Sequence, residues 1–331
     1  MFPQPEASPK AISTQNATPP RRGPWETNLN QKILITGSSG LVGTALLRAF
    51  SARSTDVIPF DIRAHGEAHG DICDRDKVRN AVAGVSGVIH LASVSRVIWG
   101  ERDPELCWAT NVGGLQNVLT FAAESLASPW VIFASSREVY GQPDQLPVTE
   151  DYPLRPVNIY GRSKYEGERL ISDAQRAGLR ACTIRLSNVF GSTNDHVDRV
   201  VPAFARAGAM GHELRVDGAE HTFDFTHIDD VARGILALTD LLAAERGVPP
   251  PLHFVTGIPT TLGQLANLAV RIGQSGSTIR LAPPRDFDVA RFFGSPARAK
   301  TLLGWAPCVP LEEGLTRLIH AFRANAQGFE S

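Results

Sequence analysis

Between Lys32 and Asn188, apolar residues come in short unbroken runs separated by stretches with helical spacing. Lys32 to Thr36, Asp56 to Phe60, Val88 to Ser93, Trp130 to Ala134 and Leu179 to Leu186 read as strands, most of them buried on both faces. The intervening pattern predicts helices from the glycine turn after Thr36 to about Phe50, from Arg75 to Ala83, from Asp103-Pro104 to Ala127, and from Tyr160 to Arg176. Strand and helix in alternation imply an α/β fold, a doubly wound parallel sheet with helices on both faces. After Gly191 the pattern breaks into shorter pieces: helices over 200–208, 227–244, 261–272, 295–303 and 311–326, and strands over 213–216, 252–255 and 278–281. These are too few and too short for a second independent sheet. The expected organisation is a body over 31–190, completed by parts of 225–256, with a smaller lid over 191–331. Residues 1–30, rich in proline and polar side chains, are expected to form a flexible tail.

Composition narrows the class without naming a chemistry. The 331 residues are 43% hydrophobic and 20% charged, with a formal net charge of -1, which fits a globular protein with a sizeable core. No long basic run suggests a nucleic-acid or membrane-surface partner, and no stretch reaches the ~20 apolar residues of a membrane span. The four cysteines, Cys73, Cys107, Cys182 and Cys308, lie far apart, so neither a disulfide framework nor a thiolate metal site is expected. With no apolar leader-like core near the N-terminus, the expected location is cytoplasmic.

Candidate chemistry gathers at the strand ends. Gly37-Ser38-Ser39-Gly40-Leu41-Val42-Gly43 follows the first strand and opens a helix, the arrangement of a phosphate cradle. Asp61 ends the second strand, where a carboxylate accepts from adenosine ribose hydroxyls and repels a 2′-phosphate, favouring NAD over NADP; Ile62 and Arg63 follow it. Asp71-Ile72, Leu91-Ala92-Ser93, Ser135-Ser136 and Ser187-Asn188 also leave strands or precede helices on the same rim. Tyr160 and Lys164 lie at i and i+4, on one face of a helix, so the ammonium is expected to lower the phenol pKa and make Tyr160 a proton acceptor. His90, inside an apolar strand, reads as a packed, hydrogen-bonded histidine.

Taken together, these motifs resemble the extended short-chain dehydrogenase/reductase family, in its NAD-dependent sugar-nucleotide epimerase/dehydratase branch. The resemblance runs from about Lys32 to Phe322. It rests on the glycine turn, Gly70-Asp71-Ile72, His90-Leu91-Ala92, Asn111-Val112-Gly113-Gly114, Ser135-Ser136 with Val139-Tyr140-Gly141, and Tyr160 with Lys164. Arg185 with Asn188-Val189-Phe190-Gly191, Asp224-Phe225 with His227 and Asp229-Asp230-Val231, and Leu303-Gly304-Trp305 complete it. It implies a Rossmann sheet, a C-terminal substrate-binding lid, and a homodimer that pairs the 104–127 and 158–176 helices. Tyr160 would be the acid/base, Lys164 would hold the nicotinamide ribose, and Ser136 would bond the reacting sugar hydroxyl. Asp71 and Ile72 would meet the adenine, and Asn111 would lie near the cofactor phosphates. Ser95, Arg96, Asn188, Arg199, Arg215 and Arg285 are candidate substrate contacts. The implied reaction oxidises the sugar at C4, after which epimerases, dehydratases and decarboxylases diverge; a dehydrogenase or reductase releasing its reduced cofactor, on a sugar nucleotide or a sugar-like substrate without the nucleotide, is a further alternative, and a non-catalytic dinucleotide-sensing protein a more distant one.

Two positions depart from the branch. Relatives that make 4-keto-6-deoxy sugars carry Asp-Glu where this chain has Arg137-Glu138. Glu138 can abstract a proton, but a guanidinium stays charged and cannot donate one to a departing hydroxyl. Phe223 stands where relatives carry an arginine that grips the nucleotide diphosphate. The expected activity is therefore 4-epimerisation, with Arg137, Glu138 and Phe223 marking the substrate site as individual.

Overall fold

The computed structural model describes residues 31–284 and 289–327. The 1–30 tail and Arg285 lie outside the described residues. Six strands form one sheet: β1 (Lys32–Thr36), β2 (Asp56–Phe60), β3 (Gly87–His90), β4 (Trp130–Ser136), β5 (Ala181–Leu186) and β6 (Leu252–Phe254), in the order β6-β5-β4-β3-β1-β2. Every neighbouring pair is parallel. Pro59 sits in β2, at the sheet edge, where a missing N–H costs no central ladder bond.

The helices that matter here are α1 (Leu41–Ser51), α2 (Arg75–Val82), α3 (Gly114–Glu124), α4 (Ile159–Arg176), α5 (Val200–Met210), α6 (Ile228–Ala243), α7 (Leu262–Gly273) and α8 (Leu311–Gln327). The unbroken apolar runs are explained by burial on both sides. Ile33, Ile35, Ile89 and Ile132 face a layer built with α1 and α6. Leu34, Val88, Val131 and Phe133 face a layer built with α2, α3 and α4. A separate apolar cluster joins α5, α7 and α8 to the strand Leu214–Asp217, which pairs in parallel with Ile279–Ala282. Among the described residues the extra strands form only two-stranded pairs.

The 103–127 region differs from the single predicted helix. It comprises Pro104–Trp108, a π-helical turn at Ala109–Gly113 and α3, and is preceded by a short helix, Val97–Arg102, that the pattern does not reveal. The wide turn holds Asn111, whose amide reaches out of the helix to other elements. Deeper in the body, Arg185 Nε and Nη2 hold both carboxylate oxygens of Glu168 at 2.9 and 2.6 Å. Arg185 Nη1 donates to the Tyr140 hydroxyl and the Glu150 carbonyl, both at 2.6 Å, and the Tyr140 hydroxyl lies 2.6 Å from His253 Nε2. This buried network ties β5 to α4, to the turn after β4 and to β6.

Candidate active site

The chain reverses its sheet order at β1, and there the glycine turn packs against the exit of β3. Gly37 has φ 71°, and a Cβ on it would meet the Ala92 nitrogen at 2.7 Å. A Cβ on Gly43 would lie 2.4 Å from the Gly37 carbonyl oxygen, so glycine lets α1 start directly on the turn. No side chain caps α1, which leaves its first backbone N–H groups as donors for an anion. Asp61 is buried and occupied locally: Oδ2 accepts from Ser39 N at 2.9 Å and Oδ1 from Arg63 N at 2.8 Å, with the Arg63 side chain at 3.5 Å.

A cavity of about 490 Å³ runs from this turn to Tyr160. Its walls include Gly37, Gly40, Leu41, Val42, Asp61, Ile62, Arg63, Asp71, Ile72, Leu91, Ala92, Ser93, Ser136, Tyr160 and Lys164. An open helix N-terminus, a close-approach glycine turn and a carboxylate beside it suit a dinucleotide along this wall. Ser39 and Asn111 do not line the cavity. Ser39 gives its N–H to Asp61. Asn111 accepts from Val94 N at 2.7 Å and donates to Val94 O at 3.1 Å and Ser163 Oγ at 2.8 Å, pinning the loop after β3 to α4. Asp195, His196 and Cys73 also line the cavity and carry no motif that singles them out in the sequence.

Tyr160 and Lys164 are set by the start of α4. The Asn158 side chain caps the helix by accepting from Gly161 N at 2.7 Å. A Cβ on Gly161 would lie 2.7 Å from the Glu138 carbonyl oxygen, so this glycine brings the helix against the turn that leaves β4. Ser136 Oγ accepts from Glu138 N at 3.2 Å and stands near Tyr160, whose ionised form it favours. The expected lowering of the Tyr160 pKa is absent in the protein alone. Burial pushes the phenol up to about 12, against the downward pull of Ser136 and of the Arg199 charge. Lys164 offsets only part of this, because its ammonium donates to the Ala134 carbonyl at 2.9 Å and lies 5.8 Å from the centre of the Tyr160 ring. Burial brings Lys164 itself down to about 8.

A second cavity, of about 320 Å³, meets the first at Ser136 and Tyr160, which line both. It gathers Ser95, Arg96, Arg137, Glu138, Asn188, Arg199, Arg215 and Phe223. The arginines are paired: Arg96 with Asp198, Arg215 with Asp217 at 2.7 Å, Arg199 with Asp195 at 3.7 Å, and Arg137 with Glu138 at 2.9 Å. The two unusual positions meet here, for the Arg137 guanidinium carbon lies over the Phe223 ring, 4.5 Å from its centre. Asn158 Nδ2 donates to the other Glu138 oxygen at 2.9 Å, so both oxygens of this carboxylate are engaged. Arg137 Nη1 is buried with no hydrogen-bond partner among the described residues. No group of three or more His, Cys, Asp or Glu side chains that could hold a metal occurs among the described residues.

A Rossmann sheet with a cleft along its rim, and Ser136, Tyr160 and Lys164 lining that cleft, define the class of a nucleotide-binding α/β protein. Residues 33–250 match the model of the NAD dependent epimerase/dehydratase family, and the chain belongs to that family; it is an enzyme with NAD as its cofactor. It is 29% identical over 315 residues to UDP-glucuronic acid decarboxylase 1 of Xenopus tropicalis, covering 90% of this chain and 73% of that protein. It is 28% identical to a putative UDP-glucose 4-epimerase of Methanocaldococcus jannaschii, covering 88% of this chain and 99% of that protein. The solved UDP-glucose 4-epimerase of Thermotoga maritima with UDP-glucose superimposes with a TM-score of 0.82 at 28% identity, over 89% of this chain and all of that one.

Proposed function

We propose that this enzyme is a sugar-nucleotide 4-epimerase working through a transient 4-keto sugar. The observation that carries the reading is the junction at Ser136 and Tyr160, where the two cavities meet. A sugar in the smaller cavity can there meet the end of the dinucleotide cleft. Ser136 bonds the C4 hydroxyl and Tyr160 takes its proton, returning it when the ketone is reduced on its other face. NAD, when bound, supplies the reversible oxidation of that carbon. Lys164, below about pH 8, holds a positive charge beside the phenol and favours its ionised form.

The dehydratase alternative is disfavoured by the same turn. Elimination across C5 and C6 needs an acid for the leaving hydroxyl; Arg137 cannot serve, and Glu138 is tied at both oxygens. Decarboxylation of a uronate is the second reading, favoured by an Arg137 donor with no partner among the described residues and by the similarity to a UDP-glucuronic acid decarboxylase. We also infer a homodimer formed through the helices that carry exposed Trp108 and Tyr165.

Nuclear magnetic resonance of sugar-nucleotide panels, without added cofactor, is expected to report inversion at C4. Sugars returned unchanged would sink the epimerase reading, and loss of carbon dioxide would favour the second. Tyr160→Phe should lower turnover by about 10²- to 10⁴-fold while NAD affinity stays near that of the parent.

A further inference from the structure

Resting on the reading of the smaller cavity as a sugar-nucleotide site, we propose that Arg137 selects a carboxylate on the reacting sugar, with Phe223 as the platform that holds it. The guanidinium is fixed on two sides. Nη2 bonds Glu138 Oε1 at 2.9 Å, and the guanidinium carbon lies over the Phe223 ring, 4.5 Å from its centre. Glu138 does not turn toward the other nitrogen, because Asn158 holds its second oxygen at 2.9 Å. That leaves Nη1, buried and without an acceptor among the described residues. A guanidinium keeps its charge at every working pH, and a buried donor left unpaired is costly, so bound substrate is what completes this site.

The chemistry of the missing acceptor follows from its surroundings. The planar fork of an arginine matches a carboxylate, and one guanidinium bridges two carboxylates through its separate nitrogens. Phe223, Val200, Val201, Leu262 and Val289 supply the apolar part of a lining that is otherwise polar and charged, and a charge contact made against them is strengthened. Arg137 follows Ser136 directly and shares the cavity with Tyr160, so the group it meets belongs to the sugar those residues address rather than to a remote part of the ligand. A hexuronate meets this requirement; a neutral hexose leaves the donor facing a hydroxyl.

The test separates recognition from turnover. NAD-loaded Tyr160→Phe protein is titrated calorimetrically with UDP-glucuronic acid and with UDP-glucose, in the presence and absence of Arg137→Met. The uronate is expected to bind at least about tenfold more tightly than the neutral sugar. Arg137→Met should reduce that ratio below about twofold, chiefly by weakening the uronate. Arg137→Lys, which keeps the charge without the fork, should restore part of it and covers the case in which the methionine variant fails to fold. Phe223→Leu should lower the ratio while leaving Arg137 in the chain. Equal affinity for the two sugars, or a preference that survives Arg137→Met, overturns the proposal. Failure of wild-type protein to invert C4 would overturn the epimerase reading alone, since the titration needs no turnover.

Discussion

At the scale of single residues, burial pushes the Tyr160 phenol up to about 12 in the protein alone. Besides Arg199, a charge that can ease its ionisation is Lys164, which burial brings down to about 8. The sign follows directly: below that pH the ammonium is present and favours the phenolate, and above it the help disappears. Activity of the NAD-loaded enzyme is expected to fall as pH rises through about 8, and Lys164→Met should abolish that limb while lowering the rate at pH 7. A profile whose upper limb survives in Lys164→Met would remove Lys164 from the step. The i, i+4 spacing makes this pair legible in sequence, because helix geometry alone brings the two together. The direction of the pKa shift is not legible, since it depends on burial and on the Ala134 carbonyl, both tertiary facts. Arg137 and Phe223 are likewise visible as departures, but nothing local joins the exit of β4 to the two-residue strand Thr222–Phe223.

At the scale of elements, the body is read well from sequence because strands buried on both faces leave unbroken apolar runs. The loop between β3 and Pro104 is read less well. Its short helix, Val97–Arg102, has no side-chain cap and too few residues for a clear period, and the π-turn at Ala109–Gly113 looks like ordinary helix in sequence. Asn111 shows why this matters. A polar side chain on an apolar helix points in sequence to a ligand contact, whereas its hydrogen bonds go to Val94, Ser163 and Cys107. Asn111 therefore acts on the cofactor cavity through Ser93 and Val94, which line it. Asn111→Ala leaves buried partners unpaired and should cost about 1–3 kcal/mol, measured by urea unfolding. NAD affinity should fall with it, as read by titration; unchanged affinity would mean that the loop keeps its place without the amide.

At the scale of the whole molecule, Trp108 and Tyr165 remain 45% and 37% exposed, on the segment before the π-turn and on α4. In the homodimer we infer, a second copy would cover these large aromatic side chains. Light scattering is expected to give twice the mass of one chain, and the double variant Trp108→Glu, Tyr165→Glu to give a monomer. A monomeric parent would refute the inferred dimer. The sheet itself carries a different consequence, one for synthesis. β5 gains its outer neighbour, β6, only when Leu252–Phe254 has been made, and α6, which covers the apolar face beneath, is also made late. A ribosome adding ~5–20 residues per second thus holds out, for several seconds, a half-built sheet with an open hydrogen-bonding edge and an uncovered oily side. The emerging chain is then at its most adhesive, and the stretch between Leu186 and Leu252 is where a chaperone has its widest opportunity.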